Sequence, residues 1–204
     1  MLKNSFTAIL SRYGLSHSTI KNLWQEIAQR HGEAHRHYHN LSHLIHLMDL
    51  LQEVKQDLAK PNAVYLALFY HDVVYEPQLQ DNEEQSARLA KERLSKTKVP
   101  HAIVNVCVEA ILATKKHAAH TNKDINYLTD ADLGILGSEW PEYLTYTKKI
   151  RQEYQAYDDD TYRKGRKKVL EHFLEIPRIY KSEYFYQKLE HHSKENLEKE
   201  LLLL

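Results

Sequence analysis

Histidines and acids gather at four places in this chain of 204 residues, which holds fourteen histidines and one cysteine. The densest is Arg36-His37-Tyr38-His39-Asn40-Leu41-Ser42-His43-Leu44-Ile45-His46. In a helix that begins just before it, His39, His43 and His46 fall on one face, at i, i+4 and i+7. Three imidazoles there sit badly in a plain core, because each needs a polar partner. Taken singly, each also fits a solvated face or a hydrogen-bonded core histidine. The second place is His71-Asp72, which ends the apolar run Ala63–Tyr70. A carboxylate in that setting needs a partner, hydrogen bonds or a cation; a cap or a buried ion pair is the alternative. Third comes Asp130-Ala131-Asp132. An acid at a helix start is favourable on dipole grounds alone, which accounts for Asp130 and leaves Asp132 as the better ligand. Fourth, His117 and His120 follow the apolar stretch Ile111–Thr114.

In chain order, His43, His71-Asp72 and Asp132 offer two imidazoles and two carboxylates. That mixture suits a divalent cation that keeps open positions, a transition metal or Mg²⁺. An open position can hold water and lower its pKa for attack on phosphorus or carbonyl carbon. Closed structural zinc sites usually draw on cysteines, and Cys107 stands alone, which also excludes an intrachain disulfide.

Helices must position these groups. Apolar residues recur at helical spacing over Ser18–Arg30 and Leu41–Leu58. Pro61 opens the run Ala63–Tyr70, which is apolar all round and, with its continuation to Tyr75, too long for a typical strand, so it reads as a buried central helix. Asp81 and Glu84 form a capping-box pattern for a helix reaching Ser95, and Pro100 opens another over Ile103–Thr114. Shorter helical pieces follow at Leu128–Leu136, Ser138–Tyr157, Asp159–Glu175 and Ser182–Leu203, with Leu201–Leu204 as a fraying end. No strand alternation, repeat or Gly/Ser/Pro-rich linker interrupts them, so the expectation is one all-α domain spanning 1–204.

Composition narrows the function. Lys+Arg and Asp+Glu are both 28, a formal net charge of zero that argues against binding a nucleic-acid polymer. With 27% charged and 42% hydrophobic residues the chain is not a disordered type. The opening MLKNSFTAILSRYG shows no signal-peptide pattern, and no apolar run is long enough to cross a membrane. A cytoplasmic protein is expected.

A lone His, a later His-Asp and a still later Asp in an all-α chain resemble the HD superfamily of metal-dependent phosphohydrolases. The likeness is closer to a small bacterial branch of predicted phosphohydrolases. It runs through Tyr38–His43, Phe69–Tyr75, Asp81–Ala87, Ile111–His117, Asp130–Leu133 and Ile150–Tyr154, then Gly165-Arg166 and Ile179-Tyr180, covering about residues 20–200. The resemblance implies an HD-type helical bundle with its metal core at about 35–140 and C-terminal helices at about 138–203. It makes His43, His71, Asp72 and Asp132 the metal ligands. His39–His43 is also similar to a motif of the cyclic-nucleotide phosphodiesterases, which implies His39 as general acid. His117 is the candidate for a second metal, with His120 behind it; one ion is favoured over two. The absence of a GYP-type extension argues against the cyclic-di-GMP branch.

The implied activity is hydrolysis of a small-molecule phosphate ester, by analogy that of a nucleotide or nucleotide-like compound, using Mn, Fe, Co, Ni, Zn or Mg. Asp72 or Asp132 would orient the attacking water. Arg36 and Lys115, with Lys116 and Arg151, could neutralise phosphate charge, though each also fits a solvated surface cation. Two rivals stand beside this reading: an HD-fold regulatory module that binds metal or ligand without catalysis, and an HD-type di-iron oxygenase. The aromatic-rich Tyr180–Tyr186 segment could serve a homodimer contact.

Overall fold

Every side chain from Ala63 to Tyr70 is buried, and the fold is arranged around that helix. The computed structural model describes all 204 residues. It contains ten α-helices and no strand: α1 (Leu2–Ser11), α2 (His17–Arg30), α3 (Leu41–Glu53), α4 (Pro61–Tyr70), α5 (Asn82–Ser95), α6 (His101–Ala113), α7 (Lys123–Asp132), α8 (Trp140–Glu153), α9 (Asp159–Glu175) and α10 (Glu183–Leu201). Helix α4 is enclosed by α1, α3, α5, α6 and α7. A 3-10 turn at Leu133–Gly137 follows α7, and α8 and α10 pack on it. One hydrophobic cluster runs through both groups, from Leu2 to Leu197, so the chain forms one all-helical domain.

The helix ends differ from the sequence pattern where side chains capture backbone groups. Helix α4 stops at Tyr70 instead of continuing to Tyr75. Arg36 takes the carbonyls of Asp72 and Val73, and Ser86 Oγ bonds both the N–H and the carbonyl of Val74. Helix α3 ends at Glu53, short of Leu58, and a 3-10 turn at Lys55–Asp57 leads to Ala59 and Lys60, whose N–H groups donate to Asp124. Helix α8 ends at Glu153, short of Tyr157, where Arg151 donates to the carbonyls of Tyr154 and Tyr157. The expected capping box is not formed: Asp81 precedes α5 without a capping bond, its carboxylate accepting from Gln85 Nε2 at 3.0 Å. Helix α1 has no counterpart in the sequence reading. Its Phe6 packs edge-on to Phe69, ring centroids 5.0 Å apart.

Gly134 lets the two groups of helices close together. A Cβ at this position would lie 2.2 Å from Leu50 Cδ1 and 3.4 Å from His46 Nε2. That close approach brings the end of α7, which carries Asp132, against α3, which carries His43.

Candidate metal centre

Three separate chain segments deliver the cluster. Asn40 caps α3 by accepting the Ser42 N–H at 2.8 Å, which sets His43 in the first turn and buries it. His71 closes α4, its N–H bonded to the Ala67 carbonyl, and Asp72 follows in the turn. Asp132 is the last residue of α7.

Their polar atoms converge. His43 Nε2 and His71 Nε2 lie 3.2 Å apart. Asp132 Oδ1 is 3.1 Å from the first and 3.4 Å from the second. Asp72 Oδ2 is 3.1 Å from His71 Nε2 and 3.7 Å from His43 Nε2. His43, His71 and Asp132 each offer one atom within 4.8 Å of the others, a grouping that can hold a metal ion. Asp72 lies beside this trio and completes the four residues named from sequence.

The donor chemistry fits a cation. His71 Nδ1 donates to the Leu68 carbonyl at 2.9 Å, which in the neutral ring leaves a lone pair on Nε2 facing the cluster. Two ring nitrogens and two carboxylates face one another with no Lys or Arg among them, and a metal ion would take the place of the proton they otherwise share. His43 departs from the usual ligand pattern, since its buried Nδ1 has no partner. Burial holds His43 below the ordinary imidazole pKa. Burial acts the same way on His71, but the Asp72 and Asp132 charges outweigh it and hold the ring well above that value. Both carboxyls are held low: burial opposes ionisation, and His71 overrides it.

His39 lies just before α3, not on it, so the three-histidine helical face is not what forms. Its ring centroid is still 5.6 Å from that of His43. His46 points elsewhere, toward Gly134, with its buried Nε2 unpartnered. His117, in left-handed backbone at φ 48°, bonds the outer carboxylate oxygen of Asp132 at 2.9 Å. It therefore joins the cluster through Asp132. His120 does not join; its Nε2 pairs with Glu109 at 3.3 Å.

Of the expected phosphate-binding cations, Arg36 is placed otherwise. It is buried, and its guanidinium bonds Glu33 and the carbonyls of His39, Asp72 and Val73. It is a clamp joining the His39 and Asp72 segments, with its donors turned to the protein. Arg151 is likewise engaged, with Asp159 and the carbonyls that end α8. Lys115 lines a cavity beside the cluster and is held by the Gln80 carbonyl and Glu84. Asp130 is not a helix-start acid. It lies near the end of α7, wholly buried, accepting the N–H groups of Lys181 and Ser182 ahead of α10 and pairing with Lys181 Nζ at 2.8 Å.

Two residues that the sequence reading included in motifs but gave no role stand out. Glu153 is buried at the end of α8; one carboxylate oxygen accepts the N–H groups of Tyr38 and His39, the other bonds His39 Nδ1 at 2.6 Å and Tyr75 OH at 2.8 Å. Burial opposes a charge on either partner, yet the pairing holds Glu153 down to about 2 and raises His39. Its signal was Tyr143, Tyr146, Ile150 and Glu153, a helix face that is otherwise apolar and aromatic. The second is Glu83, half-buried in the Lys115 cavity, its carboxyl raised by burial and by nearby Asp72. His31 is buried too, pushed down to about 3 by burial, with Nδ1 bonded to the Ile27 carbonyl.

Comparison with protein-family models, curated proteins and solved structures finds no match for the chain. No helix is long and apolar enough to cross a membrane.

Proposed function

We propose that the chain is a metal-dependent phosphohydrolase acting on a small-molecule phosphate ester. The observation that carries this reading is the convergence of His43, His71, Asp72 and Asp132 beside a histidine that Glu153 holds in place. His43, His71 and Asp132, with Asp72, would hold one divalent ion. Such an ion, when bound, lowers the pKa of a water and polarises a phosphoryl oxygen.

The remaining steps belong to the chain itself. Asp72 accepts a hydrogen bond from the attacking water and orients it. As the new bond from water oxygen to phosphorus forms, that water releases one proton to solvent. The bond from phosphorus to the alcohol oxygen breaks, and His39 Nε2 gives that oxygen its proton. Glu153 favours the protonated form of His39 and fixes its ring through Nδ1, which leaves Nε2 as the donor. His39 then takes a proton back from solvent, leaving alcohol and hydrogen phosphate as products.

Elemental analysis of protein purified without a histidine tag, beside the Asp72→Ala variant, tests the reading. About one equivalent of Mn, Fe, Co, Ni or Zn in the parent and little in the variant is expected, with helicity retained in both. Hydrolysis of p-nitrophenyl phosphate by the parent should follow the metal content. Failure to bind the recovered metal, Mg²⁺ or Mn²⁺ on titration overturns it, and about two equivalents of iron without phosphatase activity points to an oxygenase.

A further inference from the structure

Two cavities of different chemistry meet at the cluster, and His39, His117 and Asp132 line both. The larger, about 360 Å³, is polar: Asp72, Gln80, Asn82, Glu83 and Lys115 face it. The smaller, about 130 Å³, is walled mainly by Leu133, Ile135, Leu136, Leu170, Phe173 and Leu197. A phosphate ester has the same two-part character, a charged phosphoryl group and the alcohol that leaves it.

Polarity decides which part goes where. Arg166 lines the apolar chamber, but its Nε and Nη2 are committed to Glu200 at 2.7 and 2.9 Å, so the pair offers no net charge to an incoming anion. A phosphoryl dianion in that chamber would be desolvated without a counter-ion. Lys115 in the polar cavity is likewise paired, with Glu84 and the Gln80 carbonyl, so the two sides differ in polarity: a dianion keeps water and polar partners in the larger cavity and loses them among the leucines of the smaller. The phosphoryl group therefore belongs on the polar side and the leaving alcohol on the apolar side. His39 lies on the shared wall, where its free Nε2 can serve the oxygen between them.

Size limits the alcohol. A dry cavity of about 150 Å³ takes one benzene ring, so the part of the alcohol seated inside this half-open chamber of about 130 Å³ is one small ring or a short branched chain. We propose that the leaving group is a small, uncharged, apolar alcohol seated among Leu133, Leu170 and Phe173. The proposal rests on the phosphohydrolase reading and replaces the nucleotide expectation drawn from analogy. Discrimination should come mainly from burying the ring, and it should favour the apolar alcohol over a polar one of similar acidity by roughly tenfold or more.

The metal-loaded protein is assayed on benzyl phosphate, glycerol 2-phosphate and uridine monophosphate, and benzyl alcohol binding is followed separately by ligand-observed NMR. Val169, 43% exposed on α9 and part of the chamber wall, allows a blocking variant, Val169→Trp, whose folding is checked by circular dichroism and metal content. The expected result is a kcat/KM for benzyl phosphate roughly tenfold or more above the other two esters, with benzyl alcohol binding lost in Val169→Trp. Equal turnover of all three esters, or benzyl alcohol binding unchanged in a folded Val169→Trp, overturns this proposal and leaves the phosphohydrolase reading standing. No turnover of any ester by protein that holds its metal overturns both. If Val169→Trp does not fold, the ranking of the three esters by the parent protein decides the matter.

Discussion

The chain buries two ionic clusters a short distance apart, and they are built on opposite principles. Arg166 and Glu200 join α9 to α10 through two parallel bonds, Tyr143 donates a third to Glu200, and the guanidinium lies over the Tyr146 ring. One cation meets one anion, and both carboxylate oxygens are used. The His43–His71–Asp72–Asp132 cluster instead crowds acceptors together, with two ring nitrogens 3.2 Å apart and carboxylates on either side. Burying charge is costly in both places. The first cluster offsets that cost internally and acts as a brace; the second is a group that could offset it by holding a metal ion. Saturation, more than burial or charge, separates a structural pair from a site.

Removing one partner from the saturated pair should give the largest effect. Glu200→Ala leaves Arg166 buried and unpaired and should cost about 3–5 kcal/mol in urea denaturation. A loss under about 1 kcal/mol would mean that water reaches the guanidinium and that the brace is not closed.

Between the clusters in rank comes their spacing. Gly134→Ala forces Leu50 aside and should cost about 1–3 kcal/mol, with weaker metal retention because α3 and the Asp132 end of α7 are pushed apart. Isothermal titration with Mn²⁺ alongside thermal unfolding would detect both. Unchanged metal affinity would show that the ligand geometry does not depend on this contact.

Glu153 joins the two behaviours, since it is saturated yet holds a residue of the site. Its carboxyl, normally near 4.5 and held down to about 2, contributes stability that is present above pH 4.5 and lost as pH falls toward 2. His39 is raised, so its contribution is full below 6.5 and is lost as pH rises through the higher folded value. Glu153→Gln should cost about 1–3 kcal/mol at neutral pH and flatten the acid limb of stability against pH. If activity is present, its alkaline limb should move to lower pH. An unshifted limb would assign that titration to another group.

The smallest effect belongs to Tyr38, whose buried hydroxyl has no partner although its ring packs on His43 and Tyr146. Tyr38→Phe should change stability by less than about 0.5 kcal/mol, or raise it slightly, because no bond is broken. A larger loss would show that this hydroxyl bonds a group or a water in solution.

Legibility in the sequence followed the range of the forces involved. Helix α9 is delimited as Asp159–Glu175 from local signals alone, and the buried run after Pro61 announces the central helix, because capping, proline geometry and apolar period are local. Errors fall where distant side chains seize backbone groups, as Arg36 does beyond Tyr70 and Asp124 does before Pro61. The four residues that converge, His43, His71, Asp72 and Asp132, were legible because each placed a costly polar group in an apolar setting. Arg36 misled for a related reason: a basic residue among histidines suggests an anion, and nothing local reveals that its donors will be spent on carbonyls thirty-six and thirty-seven positions on.

By itself the sequence determined the helical class, the central position of the Pro61–Tyr70 segment and the residue types able to meet at a metal centre, since periodicity and the cost of burying charge act through each residue's near neighbours. The tertiary structure alone decided that Asp130 ties down α10 while Asp132, two residues on, faces His43 and His71. It also decided that Glu153 reaches His39 across 114 positions, and that an apolar chamber and a polar cavity meet at one wall. These are matters of which surfaces come together, and that is settled only when the helices close on one core.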